Sequence, residues 1–141
     1  MIFPGGGILN LMQAKSFPTV LAVWIVVLAI INGLATAYYW YWSMPWFDMP
    51  MHFFGGILAA GCALWWLYSR KGHSFPKFLP LLMICIFAAL SVGLLWEIFE
   101  GVVSFNSTGH INEMTDTMSD LFFDSLGGVM VARFYIGKRK T

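Results

Sequence analysis

Long apolar stretches constrain the fold of this 141-residue chain more than any other feature. A helix needs about 20 mostly apolar residues, each rising about 1.5 Å, to cross the hydrocarbon core of a bilayer. Four stretches approach or exceed that length, at residues 17–39, 50–68, 78–103 and 118–135. The sequence therefore predicts an all-α, multi-pass membrane protein, with residues 1–141 forming a single integral membrane domain, a four-transmembrane-helix bundle.

The composition excludes several other classes of protein. Hydrophobic residues make up 59% of the chain and charged residues only 11%, whereas about a quarter of the residues of a soluble domain are charged. A disordered chain and a nucleic-acid-binding protein are both excluded on this ground. Cys62 and Cys85 lie inside apolar runs and show neither disulfide nor zinc-site spacing. The lipid bilayer is the first expected partner.

The basic residues are confined to segments that four crossings would place on one side of the membrane. Short cytoplasmic loops collect Lys and Arg, so both termini are predicted to be cytoplasmic. His73 is predicted to lie in the loop between the second and third helices. The eight basic residues are Lys15, Arg70, Lys71, Lys77, Arg133, Lys138, Arg139 and Lys140.

The acidic residues all belong to the opposite, non-cytoplasmic end of the predicted bundle. Asp48 and His52 are four residues apart and therefore share a helix face. The acidic stripes of three helices continue into small residues, which mark faces that pack against other helices, so the acids are expected to point into the bundle. The seven acids are Asp48, Glu97, Glu100, Glu113, Asp116, Asp120 and Asp124.

Counting from the basic residues predicts how deep the acids lie. Glu97 follows Lys77 by twenty residues, or about 30 Å of helix, whereas Asp124 precedes Arg133 by nine, or about 14 Å. Asp124 is therefore predicted to lie near the midplane and well below Glu97. A charge there costs about 2.5–3.5 kcal/mol on insertion scales, so Asp124 needs a partner, a proton or a water-filled cavity.

An ordered set of motifs on three helices resembles the YjdF-like and VanZ-like families of small bacterial membrane proteins. The motifs are Asp48-x-x-x-His52-Phe53-x-x-Gly56, Glu97-x-x-Glu100, and Asp116-Thr117-x-x-Asp120 followed by Gly127, and the resemblance covers residues 45–130. It implies a small integral protein of a bacterial inner membrane, and VanZ-like proteins are associated with glycopeptide-antibiotic resistance. The chain departs from the pattern at NSTGHINE (residues 106–113), where the family has a Gly-Asp-rich loop, and in the additional acid Asp124.

Some of these residues also have structural explanations. Asp48, just before Pro50, can cap the second helix, and Thr117-x-x-Asp120 fits a capping box for the fourth. His52 can be a packed interfacial histidine. These alternatives stay open residue by residue, but capping does not explain why the acids and a histidine reach one end of one bundle. Because no Lys or Arg lies at that end, crowded carboxylates there must take up protons or bind a cation.

Three functional hypotheses follow. The first is a metal-dependent membrane hydrolase or transferase acting on a lipid-linked or envelope substrate, with a divalent ion (Mg, Mn, Zn or Fe) as cofactor. The second is proton or cation translocation, with Asp124 as the carrier. The third is a non-catalytic subunit that binds a cationic ligand or partner in an oligomer or larger membrane complex. In the first, the metal ligands are His52, Glu97 and Asp120, and the catalytic or further binding residues are Asp48, Glu100, Asp116 and Asp124.

Overall fold

The computed structural model describes residues 17–70, 77–108 and 114–137, and these residues contain helices and no strands. The prediction of an all-α protein is confirmed. The helices are α1 (Thr19–Ala37), α2 (Asp48–Leu64), α3 (Phe78–Thr108) and α4 (Met114–Gly137). A four-residue helical turn (Trp40–Ser43) lies between α1 and α2, and α2 continues as a π-helical segment (Trp65–Arg70).

Three of the helical segments are long and apolar enough to cross a membrane. They are Thr19–Ala37, Asp48–Tyr68 and Phe78–Val102. The fourth helix, α4, is not among them, since Asp116, Asp120, Asp124 and Arg133 lie on it and lower its hydropathy. A fourth crossing therefore stays a prediction.

Helices α2, α3 and α4 pack against one another, whereas α1 packs mainly on α2. Trp24 of α1 meets the ring of Phe54 edge-on at 5.5 Å between centroids. Many apolar side chains of α1, such as Val20 and Ile30, are more than half exposed. An apolar helix with one principal neighbour is typical of a helix that presents the rest of its surface to lipid.

Glycines allow the backbones of α2 and α4 to touch. A Cβ at Gly56 would overlap the backbone of Asp124, and a Cβ at Gly127 would overlap the carbonyl oxygen of Phe53. Both positions require a residue without a side chain. The small residues that follow the acidic stripes therefore lie at helix contacts, as the sequence predicts.

Helices α3 and α4 run antiparallel. Asp124 lies against Gly93, and further along the pair Gly128 lies against Cys85. Lys77, just before α3, and Arg133, near the end of α4, consequently lie at the same end of the bundle, away from Asp124.

The end of the bundle nearer to these basic residues is packed with apolar and weakly polar side chains. Every residue of this set is buried, and Leu64, Leu81, Cys85 and Ala132 are fully buried. We call the set the apolar core; its members are Ala60, Leu64, Tyr68, Leu81, Cys85, Ala132 and Tyr135.

Two helix boundaries differ from the predictions in a way that matters for the acids. The second helix begins at Asp48 rather than near residue 50, and α4 begins at Met114 rather than near residue 118. Asp48 makes no capping hydrogen bond, because the residue at the cap position is Phe47 and no side chain caps the helix. The interpretation of Asp48 as a helix cap is therefore wrong.

The predicted orientation depends largely on residues outside the described ranges. Lys15, Lys71 and the basic residues at 138–140 lie outside them, as do His73 and Glu113. The cytoplasmic position of both termini stays a prediction.

Candidate functional site

His52 is the centre of a cluster of buried carboxylates. Its side chain is 5% exposed, and its Nδ1 atom lies 3.0 Å from Oδ2 of Asp124 on α4. Its Nε2 atom lies 3.5 Å from Oε1 of Glu97 on α3 and 3.7 Å from Oδ1 of Asp48 on α2. One imidazole thus joins acids from three helices.

The contact with Asp124 determines what the other side of the ring can do. A carboxylate only accepts hydrogen bonds, so the Nδ1–H group of His52 donates to Asp124. In a neutral imidazole the lone pair is then on Nε2, which faces the oxygens of Glu97 and Asp48. Lone pairs that face one another need a proton or a cation between them.

Asp124 itself is held by its surroundings. A Cβ at Gly93 would overlap Oδ2 of Asp124, the same oxygen that accepts from His52. The carboxylate therefore occupies space that only a glycine leaves open on α3.

Thr117 orients the carboxylate of Glu97. Its hydroxyl donates to Oε2 of Glu97 at 2.7 Å, which leaves Oε1 facing His52. Thr117 is the fourth residue of α4, inside the helix. The interpretation of Thr117 and Asp120 as a capping box is wrong, because the helix begins earlier and the hydroxyl reaches another helix.

Three buried atoms of the cluster have no hydrogen-bond partner within the described part of the chain. They are Nε2 of His52, Oε1 of Glu97 and Oδ2 of Asp120, and their residues are 5%, 6% and 1% exposed. These three residues can each offer one ligand atom within 4.8 Å of the others. Buried polar atoms are usually paired, so their grouping leaves room for a bound cation. They are the residues predicted from the sequence as metal ligands.

The remaining acids surround this buried group. Asp48 is half-buried and belongs to two further groups of ligand atoms within 4.8 Å of one another, one with His52 and Glu100, the other with Asp116 and Asp120. Glu100 is half-buried and accepts a hydrogen bond from Nε1 of Trp96 at 2.8 Å. Asp116 is exposed.

We call the whole set the acidic cluster: Asp48, His52, Glu97, Glu100, Asp116, Asp120 and Asp124. The ion pairs within it all involve His52, and no described Lys or Arg pairs with its acids. Some of its buried negative charge is therefore left for a cation or protons to neutralise.

The predicted difference in depth between Glu97 and Asp124 is too large, since Asp124 lies against Gly93, about one helical turn from Glu97 along α3. Both carboxylates contact the same imidazole ring, that of His52, from opposite sides. Counting from Lys77 and Arg133 fails because the two basic residues need not lie at the same height relative to the bundle axis.

A cavity of about 290 Å³ leads to one side of the cluster. Asp48, His52 and Asp124 line its polar end, and the rest of its lining is largely apolar. Near this end Tyr41 donates a hydrogen bond to Oδ1 of Asn32 at 2.5 Å. Burial raises the pKa of Tyr41 well above its usual range, and the negative charges of Asp48 and Glu100 raise it further.

The sequence interpretation missed several residues that support the acids. Thr117 lies in a motif that also fits a helix cap, and nothing in the sequence separates Trp96 from the other aromatic residues. Asn32 is the one side-chain amide of α1, and a lone polar residue in an apolar span is a usable signal for an interhelical contact. Nothing in the sequence indicates that Tyr41 would turn back to reach Asn32.

The comparisons with known proteins identify a family and no function. The model of the family described as "Predicted membrane protein (DUF2238)" matches residues 6–141. No curated protein and no solved structure gives a significant match to the chain. Because the match covers nearly the whole chain, the protein belongs to the DUF2238 family of predicted membrane proteins.

Proposed function

We propose that the protein is a metal-dependent membrane hydrolase or transferase, with a divalent ion bound by His52, Glu97 and Asp120. The observation that carries this proposal is the meeting of three buried, unpartnered ligand atoms from three different helices. One nitrogen and two carboxylate oxygens form a donor set that suits Zn²⁺, Mn²⁺ or Fe²⁺ better than Mg²⁺, which prefers oxygen and water ligands.

The surroundings of these ligands support a metal site. A metal-binding histidine commonly donates its second ring N–H to a carboxylate, and Asp124 accepts from Nδ1 of His52 in this way. Thr117 likewise holds Glu97 by its other oxygen. Such outer contacts fix the direction of the ligand lone pairs before an ion binds.

The remaining acids supply the groups that hydrolysis requires. A bound divalent ion would polarise a phosphoryl or acyl oxygen and activate a water molecule. The water oxygen forms a bond to phosphorus or carbon, and the bond to the leaving oxygen breaks. Asp48, which lines the cavity, accepts the proton released by the water and returns it to the leaving group. In a transferase, an acceptor hydroxyl takes the place of water.

The proposed substrate is lipid-linked or part of the cell envelope, and the proposed setting is a bacterial inner membrane. We propose that α4 forms a fourth crossing and that both termini are cytoplasmic, which places the acidic cluster at the non-cytoplasmic end. Lys77 and Arg133, at the end away from Asp124, support this orientation. The kinship with YjdF-like and VanZ-like proteins is part of the same proposal.

Translocation is less well supported than metal-dependent chemistry. The buried charged side chains of the described residues are His52, Glu97, Asp120 and Asp124, and all four belong to the acidic cluster. The apolar core has no buried acid through which a proton or cation would continue. A non-catalytic subunit would use the same ion site without turnover.

Elemental analysis of the purified protein tests the proposal. Wild-type protein, stripped with a chelator and reloaded separately with Zn²⁺, Mn²⁺, Fe²⁺ or Mg²⁺, is expected to retain a stoichiometric amount of at least one ion. His52→Ala and Asp120→Asn are expected to lose it, whereas His73→Ala, a matched histidine variant, keeps it. Absence of bound metal in the wild type, with no effect of these ions on thermal stability, would contradict the proposal.

A further inference from the structure

We propose that the cavity beside His52 binds a hydrocarbon chain of a membrane amphiphile, whose polar end reaches Asp48 and His52. The inference names the substrate class of the site described above and rests on the proposed function for the chemistry at the polar end. The binding of the chain depends only on the cavity. The occupant is a lipid of the surrounding bilayer rather than a water-soluble ligand.

The walls of the cavity match a hydrocarbon chain. Leu28 and Ala29 of α1, Met51 of α2 and Val92 of α3 are among its lining residues. These side chains offer no hydrogen bonds, so a polar ligand or a column of water would gain little along this part of the cavity. An alkyl chain makes no hydrogen bonds, so contact with these side chains breaks none.

The polar end of the cavity differs sharply from its walls. Asp48, His52 and Asp124 line that end. The site therefore has the two-part character of an amphiphile, apolar along one length and strongly polar at one end. A ligand pocket typically combines such apolar walls with a few polar groups that fix orientation.

The position of the cavity decides between lipid and water as its source of ligand. The three helices that form its walls are the three segments able to cross a membrane. The first helix packs mainly on α2 and only weakly on α3. Val92 and Trp96, which line the cavity on α3, are 52% and 38% exposed, so this side of the cavity lies near the surface of the bundle. In a bilayer this side faces lipid chains.

The volume of the cavity and the position of its polar end limit the size of the ligand. A volume of about 290 Å³ lies at the lower end of the range for ligand pockets, so it admits part of one chain rather than a whole two-chain lipid. The Tyr41–Asn32 hydrogen bond joins the turn after α1 to α1 itself beside the polar end. This pair marks the level at which the chain ends and the polar group begins.

Photocrosslinking in vesicles tests the inference. The protein is reconstituted in phosphatidylethanolamine and phosphatidylglycerol with a small fraction of phosphatidylethanolamine that carries a diazirine in one acyl chain. Mass spectrometry then maps the labelled residues. We expect label on Met51, which is partly buried and lines the cavity, in addition to the background label on lipid-exposed residues such as Ile30.

Two substitutions of alanine by phenylalanine in α1 supply the control. Ala29→Phe fills the cavity from α1 and is expected to lower labelling of Met51 at least fivefold. Ala37→Phe adds the same ring at the exposed end of the same helix and is expected to leave labelling unchanged. If Ala29→Phe does not fold, Ala29→Leu serves the same purpose with a smaller side chain. Met51 labelling that is absent in the wild type, or unaffected by filling the cavity, overturns the inference.

Metal analysis of the same samples separates this inference from the proposed function. Neither Ala29 nor Ala37 belongs to the acidic cluster, so both phenylalanine variants are expected to bind as much metal as the wild type. Chain binding without metal in any sample would overturn the metal-dependent function and leave the cavity assignment standing. Bound metal without binding of the hydrocarbon chain would overturn the cavity assignment and leave the metal-dependent function standing.

Discussion

Helices α2, α3 and α4 pack through apolar side chains at one end and through charged side chains at the other. At one end, α2, α3 and α4 meet through the apolar core, where residues such as Leu64, Leu81 and Cys85 are fully buried. At the other end the same helices bury His52 and the acids around it. Close backbone contacts lie between the two ends, at two neighbouring residues of α4: Gly127 lies against the carbonyl oxygen of Phe53 on α2, and Gly128 lies against that of Cys85 on α3.

The comparison teaches that helix packing does not require the acids. Glycines bring α4 against both α2 and α3, and apolar side chains fill the remaining space at one end of the bundle. Buried acids destabilise a membrane helix unless they are neutralised. Their concentration around His52 therefore indicates a role other than holding the bundle together.

The largest expected loss of stability comes from placing an acid in the apolar core. Leu64→Asp places a carboxylate in the apolar core, where it loses the packing of a buried Leu and adds an acid without a cluster to receive it. We expect a loss of at least about 3 kcal/mol in the free energy of unfolding, and little folded protein. Leu64→Met is the control and should cost less than about 1.5 kcal/mol. Yield and detergent unfolding curves measure both, and a stable Leu64→Asp variant would break the comparison.

The next effect tests whether the contacts of α4 with α2 and with α3 both depend on glycine. A methyl group at Gly127 or at Gly128 meets backbone atoms that cannot rotate away. Gly127→Ala and Gly128→Ala should each lower the free energy of unfolding by about 1–3 kcal/mol. Gly137→Ala, on the same helix with open space around it, should be neutral or slightly stabilising. A loss confined to one of the two buried positions, measured by unfolding in detergent, would show that α4 depends on glycine in its contact with only one of the two helices.

A smaller effect on stability, with a clear effect on metal binding, is expected at Thr117. Thr117→Val keeps the shape of the side chain but removes the hydrogen bond to Glu97. We expect a loss of about 1 kcal/mol in stability and a 10- to 100-fold weaker affinity for the metal. Thr117→Ser retains the hydroxyl and should bind metal nearly as the wild type does. Equal metal affinities in isothermal titrations of the Val and Ser variants would contradict the positioning of Glu97 by Thr117.

The smallest effect is confined to alkaline pH and concerns Tyr41. Its pKa is raised in the folded protein by burial and by Asp48 and Glu100, whereas the unfolded chain has a phenol pKa near 10.0. The unfolded chain therefore releases the proton first, and the stability contributed by Tyr41 is present below pH 10 and falls as the pH rises above it. Tyr41→Phe should be less stable at neutral pH by about 1 kcal/mol, and the gap should narrow above pH 10. A constant gap in unfolding curves across that range would contradict this.

The sequence predicts the helices well because hydrophobicity and length are properties of each segment alone. It also brings Asp48 and His52 onto one face, since their separation is one turn of helix. It fails to predict that Glu97 and Asp124 meet the same ring, because that contact depends on how far α3 and α4 slide past one another. The hydrogen bonds from Thr117 to Glu97 and from Tyr41 to Asn32 are not predicted either. The reason is the same, because local spacing carries no information on the partner helix.

The loose attachment of α1 separates the width of the cavity from the geometry of the acidic cluster. Its 19 residues span about 28 Å, close to the roughly 30 Å of a typical hydrocarbon core, so α1 is long enough to cross a membrane. Helices α2, α3 and α4 hold one another, but α1 is held mainly by α2 and forms one wall of the cavity. A shift of α1 would therefore change the width of the cavity while leaving the acidic cluster in place, because no member of that cluster lies on α1.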